Sequence, residues 1–163
     1  MFDKYDQKKK RTTKNNEELR IDNTGHNLKN WQILQNNTCK HCYLDEEDLI
    51  HKYVTCIKNN NIFDSVNLWV AETLNHDCRY TNSEFLTGKP KMLDTFEIIY
   101  ERVHLELKHY IHIQKTLKLM KDKPLFLNCI DFILHLIKKI KIEKELRSKH
   151  YIMRVWGDIA KLA

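Results

Sequence analysis

The chain has 163 residues, with 28 Lys and Arg against 22 Asp and Glu for a formal charge of +6, and that length holds one domain or a small metal module plus a helical unit. Its 42% hydrophobic content can build a modest core, while three Gly and two Pro disfavour a turn-rich all-β design and favour long helices with few breaks. Lys or Asp interrupts each apolar stretch well before the ~20 residues a membrane span needs, and five cysteines without a signal peptide argue against a disulfide framework. The expectation is an intracellular chain of the nucleus or cytoplasm that does not cross a bilayer.

Residues 1–25 are polar and charged with almost no periodicity, which predicts a disordered basic leader. Within it Lys8, Lys9, Lys10 and Arg11 form a short basic run, either a phosphate-binding or import arm or simply a solvated tail. A small apolar cluster around Leu28, Trp31, Ile33 and Leu34 comes after it, with Trp31 expected in the core.

The densest chemistry comes next. Cys39, Cys42, His51 and Cys56 spell Cys-x2-Cys-x8-His-x4-Cys. A tight knuckle lets the first two thiolates grip one ion, and a short helix carries His51 and Cys56. Zn²⁺ takes four N or S ligands in a tetrahedron, so three thiolates and one imidazole close the shell and leave no position for water. Such a site is structural. His41 is the alternative fourth ligand, but it lies between the two cysteines, where a knuckle turns its side chain away; the plain alternative is reduced thiols in a loop. Cys78 and Cys129 fit no ligand pair and are expected as small buried hydrophobes, with His76 near Cys78 leaving a minor alternative.

Asn59 to Asn61 breaks the chain, and Ile62, Phe63, Val66, Trp69, Val70 and Leu74 then recur at helical spacing. Residues 75–91 read as a connector ending in Gly88-Lys89-Pro90, which places a boundary between a zinc-knuckle module at 26–88 and a basic helical hairpin at 89–163. From Leu93 through Phe96, Ile99, Tyr100, Val103, Leu107, Tyr110, Ile111, Gln114 and Leu117 the three-and-four spacing predicts a helix of about six to eight turns. Early Asp94, Glu97, Glu101 and Glu106 and late Lys115, Lys118 and Lys121 suit its dipole. Lys123-Pro124 ends it, and a second series, Phe126, Cys129, Phe132, Ile133, Leu136, Ile137 and Ile140, makes an antiparallel partner that is expected to run on through Leu146 towards Ile159. The fold class is thus mainly α.

Charge is unevenly spread. Residues 1–38 hold 8 basic and 5 acidic side chains, residues 39–88 hold 4 and 8, and residues 89–163 hold 16 and 9. A phosphate backbone would avoid the middle and prefer the ends. His104, His109 and His112 on the first long helix offer a poor alternative metal set. No Gly-rich phosphate loop, Gly-x-Ser-x-Gly elbow or paired-carboxylate signature is present, so the residues point to no catalysis and no small-molecule substrate.

The cysteine pair, the acidic run into Glu47-Asp48-Leu49-Ile50-His51, aromatic Tyr53, Cys56 and the later Trp69 resemble the zinc-binding segment at the C-terminal end of reverse transcriptases of LINE-type (non-LTR) retrotransposons. Phe85-Leu86-x-Gly88 is similar to that family's short Phe-Gly connector. The run from Ile98 to His112, Lys123-Pro124 and Ile140-x-Ile142-Glu143-Lys144 are similar to the family's helices beyond it, so residues 30–160 are covered, although only the metal ligands are specific. No Tyr-x-Asp-Asp polymerase motif and no endonuclease segment is present. The resemblance implies a non-catalytic module with a structural Zn²⁺ that binds template RNA or target DNA, with or without a reverse transcriptase polypeptide as partner. Its expected phosphate contacts are Lys8, Lys9, Lys10, Arg11, Lys138, Lys139, Lys141, Lys144, Arg147 and Lys149. The alternatives are a helical protein-interaction module and a decayed transposon fragment.

Overall fold

The computed structural model describes residues 36–76, 79–88, 95–121 and 127–163. The basic run at Lys8 to Arg11, the Trp31 cluster, Cys78 and the Lys89-Pro90 and Lys123-Pro124 connectors lie outside the described residues. The fold is mainly α, as expected: α1 (Ile62–Leu74), α2 (Asn82–Thr87), α3 (Thr95–Lys121), α4 (Cys129–Leu146) and α5 (Lys149–Trp156), with a 3₁₀ turn at Gly157–Leu162 closing the chain. Among the described residues the β-type pairing is an isolated antiparallel bridge between Thr38 and Glu46.

Helices α3 and α4 form the expected antiparallel pair, and the partners across it fix the direction. Arg102 contacts Glu143 at 3.0 Å, Glu106 contacts Lys139 at 2.6 Å, and Tyr110 meets Phe132 at 5.5 Å between ring centres. As numbers rise on one helix they fall on the other. The seam is apolar, with Ile99, Tyr100, Val103, Leu107 and Ile111 on α3 and Phe132, Leu136 and Ile140 on α4 all buried at three- and four-residue steps. One buried cluster runs from Tyr53 through α1, α3 and α4 to Ile159 and Ala160, so the knuckle and the helices share a core.

Two stretches depart from expectation. Within the connector, Thr81 starts α2 by a capping box: its hydroxyl accepts from Glu84 N at 3.2 Å while Glu84 accepts from Thr81 N at 2.9 Å. This short helix seats Phe85 against Phe63, 4.7 Å between ring centres. The second long helix also stops early. Arg147 adopts an extended backbone (φ −126°, ψ 156°), and Ser148 caps a new helix by accepting from Tyr151 N. The chain can then turn back, and Trp156, Ile152, Ile159 and Ala160 close the end of the bundle. Gly157 permits that closure, taking the left-handed φ of +50° where a Cβ would also run into Ile99 Cδ1.

Several charged side chains of α3 and α4 are paired within the bundle. Glu106 is buried and held by Arg102 and Lys139, and Glu143 accepts from both Arg102 and Trp156 Nε1. Charges this deep need partners, and each has one.

Candidate metal centre and basic face

The knuckle is built from backbone hydrogen bonds that a short acidic loop can close. Cys39 N donates to Asp45 O at 2.8 Å, Tyr43 N to Cys39 O at 2.9 Å and Glu47 N to Asn37 O at 2.7 Å. Tyr43 sits at φ 59°, a left-handed turn just after Cys42 that brings Asp45 back to Cys39 N. Asp48 Oδ1 then accepts from His51 N at 2.6 Å and starts the next turn.

That turn is wider than the sequence pattern predicts. Residues five apart in an α-helix point about 140° away from each other, which would separate His51 from Cys56. The chain instead forms a π-turn over His51–Thr55, with Cys56 N donating to His51 O at 3.0 Å. The extra residue per turn swings both ligands to one side.

The four side chains converge. Ligand atoms of Cys39, Cys42, His51 and Cys56 all lie within 4.8 Å of one another, and this is the metal-competent His, Cys or carboxylate cluster found among the described residues. Cys39 Sγ is 3.9 Å from Cys56 Sγ, and Cys42 Sγ is 3.3 Å from His51 Nε2. A tetrahedral Zn²⁺ with bonds of 2.0–2.3 Å sets such edges at about 3.6–3.8 Å, so the donor set and its spacing fit that ion. Asp45 Oδ2 stands 3.8 Å from His51 Nδ1, which leaves Nε2 to face the sulfurs. His41 falls outside the cluster; burial and the nearby Lys115 push its imidazole down to about 4.

Cys39 and Cys56 are hydrogen-bonded to each other through their sulfurs. Cys39 is pushed up to about 12, chiefly by its hydrogen bond to Cys56 and then by burial, while the same hydrogen bond lowers Cys56 to about 7.

Sequence reasoning missed one residue here. Charge reads Lys115 as one of the late cations that suit the dipole of α3, yet it is 3% exposed and its Nζ donates to the Lys52 carbonyl beneath the knuckle. Asn59 Nδ2 donates to the same carbonyl at 3.2 Å. Burial lowers the Lys115 ammonium, and the Cys56 and Cys39 thiolates push it back up. Three thiolates and an imidazole on Zn²⁺ would carry about −1, a charge that buried Lys115 is placed to offset. The signal was in the spacing, because 115 continues the steps of four from Leu107 and Ile111 on the apolar stripe. Lys115→Met is expected to weaken Zn²⁺ binding by about tenfold or more, in the range of changes to groups that support metal ligands, without lowering helix content. Competition with a chromogenic chelator measures it; unchanged affinity would remove Lys115 from the site.

The histidines of α3 do not form a second centre. His104 is buried between Tyr80, Phe85 and Phe63, its Nδ1 is 2.8 Å from Tyr100 O and its Nε2 is 2.9 Å from Asn67 Oδ1, while His109 faces solvent. Cys129 is half-buried, and burial raises its thiol.

Of the expected phosphate contacts, Lys138, Lys141, Lys144, Arg147 and Lys149 are exposed or half-exposed on α4 and α5. Lys139 is half-exposed as well, and its ammonium is paired with Glu106. No helix among the described residues is long and apolar enough to cross a membrane.

These features define a class: a helical protein closed at one end by a Cys₃His knuckle competent to bind a metal. Comparison with family models, curated proteins and solved structures finds no match for the chain.

Proposed function

We propose that this chain is a non-catalytic nucleic-acid-binding module in which Zn²⁺ pins the knuckle and the α4–α5 cations bind phosphates of RNA or DNA. The observation that carries the reading is the separation of charge. Inward carboxylates Glu106 and Glu143 are consumed by Arg102, Lys139 and Trp156, whereas Lys138, Lys141, Lys144, Arg147 and Lys149 form no ion pair among the described residues. The acidic knuckle lies elsewhere in the chain, so charge is polarised along it rather than uniformly basic. The ligand order and its resemblance to the segment of LINE-type reverse transcriptases point the same way, and the polymerase of such an element is a natural partner. The test is fluorescence anisotropy with labelled RNA, single-stranded DNA and duplex DNA over about 50–300 mM salt, the range in which phosphate contacts are lost. If about four phosphates are neutralised, log affinity falls with log salt at a slope of about −3 to −4. A slope near zero, or no binding to any of the three, would defeat the proposal.

A protein-interaction role is the second reading, favoured by Ile130, Leu134, Ile142 and Leu146, which are 51–75% exposed on α4. Helical winding weakens it. Ile142 and Leu146 lie about 120–160° around the helix from Ile130, with Lys138 and Lys141 between them in the sequence. They make two small patches instead of one docking stripe. Light scattering that shows a stable dimer would reverse this preference.

A further inference from the structure

The bend at Arg147 creates a cleft of about 340 Å³ between the end of α4, α5 and the 3₁₀ turn. Lys144, Arg147 and Lys149 line its rim, while Ile152, Met153 and Ala160 form an apolar floor. Ile152 and Ala160 are 3% exposed and anchored in the core, whereas Met153 is 39% exposed and within reach of a ligand in the opening. Lys161 lines the far side and is paired with Asp158 at 2.7 Å, so it adds little free charge. The three rim cations form no ion pair among the described residues, and the nearest inward carboxylate, Glu143, is already bonded to Arg102 and Trp156.

An anion-selective rim over an apolar floor asks for a ligand with a charged group close to a flat apolar one. A phosphate with its own base has that form. The volume lies near the lower end of the about 300–1,000 Å³ found for small-ligand sites, enough for a nucleotide-sized group but not for a duplex. Thioether sulfur packs well on aromatic rings, and the Arg147 guanidinium, 5.6 Å over the Tyr151 ring, makes a second flat surface at the rim. An acidic peptide would satisfy the rim but has no need of the floor.

We infer that this cleft receives one unpaired nucleotide of a single-stranded RNA or DNA, its phosphate held by Lys144, Arg147 and Lys149 and its base laid against Met153. The inference rests on the nucleic-acid reading above and adds strand selectivity to it. It predicts that the module prefers single strands, because a paired base cannot enter.

The experiment uses the full zinc-loaded chain and a short strand of about 12 nucleotides, within the footprint typical of single-strand sites, carrying a central 2-aminopurine, alone or annealed to its complement, at one fixed salt concentration. Expected are about tenfold tighter binding of the single strand, the size that stacking one base contributes, and a change in 2-aminopurine fluorescence. Met153→Asp, at a part-exposed site that leaves the fold intact by circular dichroism, removes the preference and the fluorescence change. Lys141→Gln, outside the cleft, weakens both strand forms alike. Equal binding of both forms, unaffected by Met153→Asp, overturns the cleft assignment while the phosphate-binding reading stands; no binding of either form overturns both, and capture of only an acidic peptide by the same cleft would do so too.

Discussion

Removing the metal with a strong chelator is expected to unravel the segment from Asn37 to Asn59 and to lower the thermal midpoint by about 10 °C. The size comes from linkage: Zn²⁺ at a thousand times its dissociation constant adds about 4 kcal/mol to the folded state, and each kcal/mol moves the midpoint of a chain this size by about 2–4 °C. The knuckle has little else to hold it. Its own buried cluster is Cys39, Cys42 and Cys56, and its backbone bonds close one short loop. Loss of the turn also releases Tyr53 from the shared core. Cys56→Ser should reproduce the effect, because it removes one of the four converging ligands and leaves three. Native mass spectrometry reads the bound ion and scanning fluorimetry the midpoint. One zinc in the parent protein and none in the variant is the expected pair; freshly reduced protein without metal, melting as before, would dismiss the centre.

The largest single-residue effect on the helical body should come from Trp156→Ala. Trp156 is fully buried, donates its Nε1 proton to Glu143 Oε2 at 2.8 Å and lies 5.1 Å beneath the Arg102 guanidinium. Truncation leaves a cavity where α3, α4 and α5 meet, a loss of about 3–5 kcal/mol. Trp156→Phe keeps most of the volume and loses the donor, at about 1 kcal/mol, because Arg102 still satisfies Glu143. Urea unfolding monitored by circular dichroism separates the two variants. Equal, small effects from both would mean that the end of the bundle contributes little to the fold.

The helix pattern was legible because it depends on spacing alone. The stripes of α1, α3 and α4 recur every three or four residues, and burial tracks them at Val66, Val70, Leu107, Ile111, Leu136 and Ile140. The four ligands were legible because thiolates and imidazole at those intervals have few other uses. What spacing does not carry is the fate of a charge. Glu106 and Lys139 pair only once the helices are assembled, and Lys115, whose place on the apolar stripe spacing does give, finds its carbonyl partner only when the knuckle is folded beneath it. Short elements were hidden for a similar reason: α2 rests on the Thr81–Glu84 capping box and α5 on Ser148, local bonds that a search for apolar periodicity passes over. The π-turn at His51 is a further case, since an α-helical spacing rule misplaces Cys56 by more than a third of a turn.

The bond from Lys115 to the Lys52 carbonyl joins segments 63 residues apart in sequence. During vectorial synthesis the ribosome releases all four ligands before it has made that lysine. At about 5–20 residues per second the interval is several seconds. An ion captured by the nascent knuckle would form a negatively charged docking point before α3 is made, and Lys115 would then bring the far end of that helix onto it. Metal supply would then set the order in which the two halves of this chain mature.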